Sequence, residues 1–500
     1  MSLLISLITA FALVVAAGAG VVALLAPEPL RLGERLALSW LTGSMVVSVG
    51  LWLGSLVCHG LVLQGFGTLL CLGLGAVAFI RRRSWRGGRL TRTELVLWAL
   101  LFLEFAAVFY GAFKHTLGWD GLLNWEIKAR IAYENGGALP AAYLSNSQLS
   151  FSHQEYPLGI PNLELWCYFW MGEANQFYIK AIFPMFYAAG VTMLASLVGR
   201  LCQNRLLGLS SALLVLFVPQ FVVNPGAAIT GYVDFPLGIF YLGAIGFLLL
   251  ADRDESWFWL AAFFLTFLPW LKREGIVMWA TGGACALLFR RRRSLGKAIL
   301  GASGGLLLFT CWQAYLLAHH VSTASDFTGA EAESLWKRFD RFGPLLNTLW
   351  HNLLDIQSWS LLWYGAAAAV LIVLWRARTR SIFLILFAIV IPVLFDVTIY
   401  LFSGWADYLR HANLSLSRLL IQVAPVVILL VSLASRFLLL DLTKSGGASK
   451  VAAASSFSKD AIGRLGRPDL PGHVARAGLR DPVRRDDHST PRRVASVGPR

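Results

Sequence analysis

Long apolar runs, such as Leu3 to Leu25, alternate along this chain with short arginine-rich stretches, and that pattern allows few folds. A run of about twenty apolar residues matches the hydrocarbon thickness of a bilayer when helical. Open β-structure is excluded at that depth, because lipid leaves its backbone groups unpaired. Barrel strands are excluded too, since they alternate over about ten residues whereas these runs are continuous. Hydrophobic residues make up 57% and charged residues 14% of the 500, against roughly 25% charged in soluble chains. The expectation is an all-α polytopic membrane protein with about thirteen spans. A cytosolic enzyme, a disulfide-stapled secreted domain and a fibrous protein are excluded.

The formal net charge of +15 does not indicate nucleic acid. Arg and Lys cluster at helix ends, as the positive-inside rule expects, and no nucleic-acid motif is present. The six cysteines, Cys58, Cys71, Cys167, Cys202, Cys285 and Cys311, are scattered without CxxC spacing and suit helix packing. Leu3–Leu25 has no basic region before it and no small-residue cleavage site after it, so it reads as a retained helix.

Topology is counted from Arg81–Arg92, with six arginines in twelve residues, which should be cytoplasmic. Spans are expected near 3–25, 36–57, 60–80, 94–113, 176–199, 206–223, 235–250, 257–271, 275–289, 298–318, 359–375, 381–402 and 419–440. The later arginine clusters at 200–205, 290–293 and 376–380 then fall on the inner side. Segments 114–175 and 319–358 become long outer loops, and the C-terminus lies inside. The chain divides into an N-terminal three-helix segment, 1–93, a core, 94–440, and a disordered basic cytoplasmic tail, 441–500, rich in Ser, Gly, Ala, Pro and Arg.

A charge at a helix centre costs about 2.5–3.5 kcal/mol on insertion scales, so polar groups near the membrane are informative. Here they gather at the outer ends. Asp120, Asn124 and Lys128 follow the fourth span at i, i+4, i+8, which would place them on one face of a helix beside Trp119 and Trp125. His153 and Glu155 precede Pro157 and Pro161, in a stretch better suited to re-entering the membrane than to crossing it. Asp234 stands at one outer helix end, and Lys272, Arg273 and Glu274 at another. Arg410, His411 and Arg418 precede the last span. Lys and Arg at such positions can hold a phosphate, Arg through a bidentate fork. The sequence contains no P-loop, nucleophile elbow, HExxH or EF-hand motif.

The layout resembles the GT-C superfamily of polytopic glycosyltransferases, close to bacterial relatives of the protein O-mannosyltransferases. The resemblance covers about residues 94–440. It rests on the Trp-Asp segment after an exit helix, the His/Tyr-Pro stretch, the Lys272-Arg273-Glu274-Gly275 turn and a basic Ser-Arg-Leu segment before the final helix. It implies sugar transfer from a polyprenyl-phosphate donor to a glycan, lipid or protein acceptor on the outer face. Asp120 matches the acidic residue that acts as base or positions a metal. Lys272, Arg273, Arg410 and Arg418 stand as candidates to hold the lipid phosphate. No close acidic pair is present in the first loop, since the next acid is Glu126, so a divalent metal stays open. The alternatives are a polysaccharide polymerase or ligase and a transporter or flippase of lipid-linked glycans. Arg outnumbers Lys heavily, which points to a GC-rich bacterial genome and an inner-membrane protein with its site facing the periplasm.

Overall fold

A computed structural model describes residues 2–27, 30–81, 89–289, 295–321, 327, 337–376 and 379–462. Among them there are no strands, only an isolated bridge between Phe327 and Ser403. Helices of eight or more residues are α1 (Leu3–Leu25), α2 (Leu32–Ser55), α3 (Gly60–Ile80), α4 (Arg92–Lys114), α5 (Ile127–Glu134), α6 (Gly159–Met171), α7 (Ile182–Leu201), α8 (Arg205–Leu213), α9 (Asp234–Ala251), α10 (Phe258–Leu271), α11 (Gly275–Phe289), α12 (Leu295–Ala318), α13 (Phe342–Leu354), α14 (Leu362–Arg376), α15 (Arg380–Ile399) and α16 (Tyr408–Ile462).

Nine helices among the described residues are long and apolar enough to cross a membrane, and this defines a multi-pass membrane protein. Four shorter apolar helices, Arg205–Phe217, Glu255–Leu271, Gly275–Leu288 and Leu362–Arg376, accompany them. The apolar surface is graded as a bilayer requires. α9 is buried along its whole length, whereas α3 and α12 leave most of their apolar side chains outward.

Three expected boundaries shift, each for a local reason. The span expected over 206–223 breaks after Leu213 into a 3-10 turn, Leu214–Phe217, and a short helix, Pro219–Val222. Pro219 supplies no N–H and holds Val218 extended. The last helix starts at Tyr408, well before 419, because the Asp407 carboxylate accepts the Arg410 N–H at 2.9 Å and caps it. The segment before the expected last span is therefore helical from Tyr408 onward. The segment after α4 opens with a π-helical turn, Gly121–Glu126, so the 3.6-residue spacing that put Asp120, Asn124 and Lys128 on one face does not apply there.

α6 re-enters the bundle. Its Trp166 indole donates to the Ala10 carbonyl inside α1 at 3.1 Å, and its Asn162 amide donates to the Ser48 carbonyl of α2 at 2.9 Å. Ser48 in turn donates to the Leu158 carbonyl at 3.1 Å and accepts from the Trp270 indole of α10 at 2.9 Å. Trp52, Trp270, Trp312 and Tyr315 pack beside this junction, Trp312 stacked on Tyr315 and the indoles tilted or edge to face. Polar bridges between helices suit an interior where lipid offers no substitute partner.

Residues Met1–Leu440 form one compact unit and Asp441–Arg500 a second, in which the end of α16 is the described part. The disordered tail is expected over 441–500, but residues 441–462 continue α16, and 463–500 lie outside the described residues.

Candidate functional site

The N-terminal end of α9, which carries Asp234, collects charged side chains from three distant segments. Gly121 starts the convergence: a Cβ there would lie 2.7 Å from the Thr230 carbonyl oxygen, so only glycine lets the segment after α4 rest on the turn before α9. The Gly118 N–H donates to the same carbonyl at 2.8 Å. Gly238 completes it, since a Cβ on that turn of α9 would lie 2.8 Å from the Ile421 carbonyl of α16. Asp120 and Arg418 are thereby brought against Asp234.

The Arg418 guanidinium donates to the Asp120 carboxylate and, at 3.3 Å, to Asp234 Oδ2. It lies 4.6 Å from the centre of the Tyr232 ring. Asp234 Oδ1 accepts from Lys272 Nζ at 2.8 Å and from Gln422 Nε2 at 2.8 Å. Lys272 also pairs with Glu274 at 3.1 Å. Burial pulls the Lys272 ammonium down, but Asp234 and Glu274 outweigh it and hold its pKa above the ordinary value. The cluster is graded from dry to wet. Asp234 and Lys272 side chains are 1% and 4% exposed, whereas Asp120 and Arg418 are each 16% exposed. Asp234 is saturated with donors, while Asp120 sits at the open edge.

A second group adjoins it. Lys128 is fully buried, donates to the Asn124 carbonyl at 2.7 Å and faces the rings of Trp125 and Tyr156. Among the described residues no carboxylate lies within 4 Å of its ammonium, and burial drags its pKa down to about 7, with Glu155, Asp120 and Glu164 acting against. The buried Asn124 side chain has its oxygen without a partner among the described residues. His153 adopts a left-handed backbone at φ 46° and stacks on Tyr156 at 4.7 Å. Its ring contacts Glu155 at 3.4 Å, and Arg273, half exposed, reaches Glu155 at 3.9 Å. Burial pushes the Glu155 carboxyl up, yet His153 and Lys128 bring it below the ordinary value.

Two named residues stand apart. The Arg410 side chain points to solvent. His411 bonds Ser403 Oγ at 2.9 Å and stacks on Trp405 at 4.6 Å, within a satellite apolar cluster. Arg410 precedes Arg418 by eight residues, about 12 Å along the helix, so only Arg418 comes level with Asp120 and Asp234.

Other buried acids escaped the sequence reading. Glu164 has neither oxygen partnered among the described residues, and Glu104 accepts from the Tyr187 hydroxyl at 2.7 Å. Asp396 is buried in α15 and is coupled electrostatically to Glu274, Lys272 and Asp234. The available signal was a lone carboxylate inside an apolar run.

Among the described residues no group of three His, Cys, Asp or Glu is placed to hold a metal ion. The donor set explains this: Asp120 and Asp234 both bind Arg418, and Asp234 also binds Lys272. The carboxylates of this cluster are neutralised by the chain's own cations, and the cluster does not fit a divalent metal. Comparisons with protein-family models, with curated proteins and with solved structures give no match to this chain.

Proposed function

We propose that the chain is a GT-C-type membrane glycosyltransferase, working on the outer face of a bacterial inner membrane with the four shorter apolar helices also crossing, for thirteen spans. It transfers a sugar from a polyprenyl-phosphate donor to a glycan, lipid or protein acceptor, with inversion. One observation supports this above the rest: Asp120, Asp234, Lys272 and Arg418 come from four segments into one hydrogen-bonded cluster whose outermost members are a carboxylate and an arginine.

In this reading the donor phosphate takes Arg418, whose fork suits a phosphate as well as it suits Asp120. Arg273 adds a second cation from the exposed side. Asp120, released from Arg418, accepts the proton of the acceptor hydroxyl. The hydroxyl oxygen attacks the anomeric carbon, the bond to the phosphate oxygen breaks, and its electron pair leaves with the phosphate. Asp234, gripped by Lys272 and Gln422, keeps Arg418 aimed. General-base catalysis by Asp120 is worth roughly 10²–10⁴-fold, and stabilisation of the leaving phosphate adds to it.

The experiment is transfer from a panel of polyprenyl-phosphate hexoses and pentoses, tritiated in the sugar, by membranes containing the chain. Sugar should leave the lipid only when the chain is present. Arg418→Lys keeps the charge and loses the fork, so its main effect should be on donor affinity, by about 1.5–3 kcal/mol for the charged hydrogen bond. Failure of every donor in the panel, with the chain folded in the membrane, defeats the reading.

A further inference from the structure

The other end of the bundle holds a cavity of about 470 Å³. α9 separates it from the acid–base cluster: Asp234 begins the helix, and Leu250 near its end lines the cavity. At about 1.5 Å per residue the two lie about 24 Å apart along the helix. Arg31, Arg200, Arg205 and Arg253 line this cavity together with Glu34, Glu94 and Asp254, the last accepting the Ser256 N–H at 3.1 Å.

Most of these charges are already engaged. Glu34 accepts from Arg200 Nη2 at 2.5 Å and Nε at 2.8 Å, and from Ser196 Oγ at 2.5 Å. Glu94 accepts from the Thr91 N–H at 2.8 Å, capping α4, and from Arg205 at 3.4 Å. Arg253 donates to the Leu201 carbonyl at 2.9 Å. Arg31 differs. Among the described residues its guanidinium makes neither a hydrogen bond nor an ion pair. Burial, Arg205 and Arg200 all act to expel its charge, and only Glu34 and Glu94 act to keep it. Trp98 and Trp257 wall the same space, with Arg200 stacked 4.8 Å above the Trp257 ring.

A cation without a partner, beside further arginines in a cavity of this size, is a site short of an anion. We infer that this cavity binds a phosphate-bearing anion through Arg31 and Arg205. It is the headgroup of an anionic phospholipid or a water-soluble phosphate, at the membrane end remote from the proposed transfer site. The inference does not depend on the proposed transfer reaction.

The test uses the purified full chain in phosphatidylcholine nanodiscs. Phosphatidylglycerol is added to the bilayer in one arm and inorganic phosphate to the buffer in the other. Thermal unfolding and native mass spectrometry are the readouts. Phosphatidylglycerol should raise the unfolding temperature and stay bound. Arg31→Ala should weaken that binding by at least about tenfold, with Arg31→Lys intermediate. Stabilisation by lipid alone assigns the headgroup; stabilisation by inorganic phosphate as well assigns a soluble ligand. Arg31→Gln replaces the alanine variant if the latter does not accumulate. Binding of neither probe to the wild-type chain, or binding unchanged in the Arg31 variants, overturns the inference.

Discussion

Replacing Asp234 by Asn removes the anion between two buried cations while keeping the side-chain shape. The carboxylate takes Lys272 at 2.8 Å and Arg418 at 3.3 Å with almost no water access. Removing one member of a buried pair typically costs about 3–5 kcal/mol. Here Lys272 retains Glu274 at 3.1 Å and Arg418 retains Asp120, which lowers the expected loss to about 2–4 kcal/mol. Lys272→Met should cost a similar amount, because it strips Asp234 of its best donor. The double variant leaves neither charge stranded, so its loss should fall short of the sum by at least about 1.5 kcal/mol. Unfolding by SDS titration from mixed micelles, followed by circular dichroism, gives all four free energies. Additivity within about 0.5 kcal/mol would refute the claim that Asp234 and Lys272 form one coupled buried pair.

Gly238→Val should destabilise the chain by about 1–3 kcal/mol, because a side chain there meets the Ile421 carbonyl at 2.8 Å; an unchanged SDS midpoint would mean α9 and α16 are not in tight contact. Lys128 is expected to make stability depend on pH. Its folded pKa of about 7 lies below the ordinary 10.5, so between those values the unfolded chain holds a proton that the folded chain has lost. The stability of the wild type relative to Lys128→Met should therefore rise with pH, by up to about 1.4 kcal/mol per pH unit; a flat difference from pH 7 to 10 would contradict this. Thiol labelling of single-cysteine variants in intact cells should reach position 145 and not position 86; labelling at 86 would reject the proposed topology.

The positions of the apolar helices were legible because the transfer cost of charge confines Asp, Glu, Lys and Arg to their ends. The charges that meet at Asp234 were legible for the same reason, since Asp120, Lys272 and Arg418 each border an apolar run on one counted side. Geometry within a turn was not legible. The π turn over Gly121–Glu126 depends on Gly121 fitting against Thr230, more than a hundred residues away. The early start of α16 depends on one cap, Asp407, amid polar residues that otherwise read as loop. Arg410 and Arg418 looked equivalent because both are arginines before the last span, and their levels along one helix emerge only once it is packed against Asp234. Glu104, Glu164 and Asp396 were hidden by the apolar runs around them, although a carboxylate in such a run is itself the anomaly.

Asp120 is the carboxylate at the open edge of the cluster and the proposed base. Asp120→Asn keeps its shape and removes the base. Sugar transfer by membranes containing this variant, compared with wild type at equal amounts of folded chain and saturating donor, tests the claim most directly. Transfer reduced by at least about 10²-fold with donor affinity retained is the predicted result. Transfer near the wild-type rate would place the base elsewhere and contradict the account.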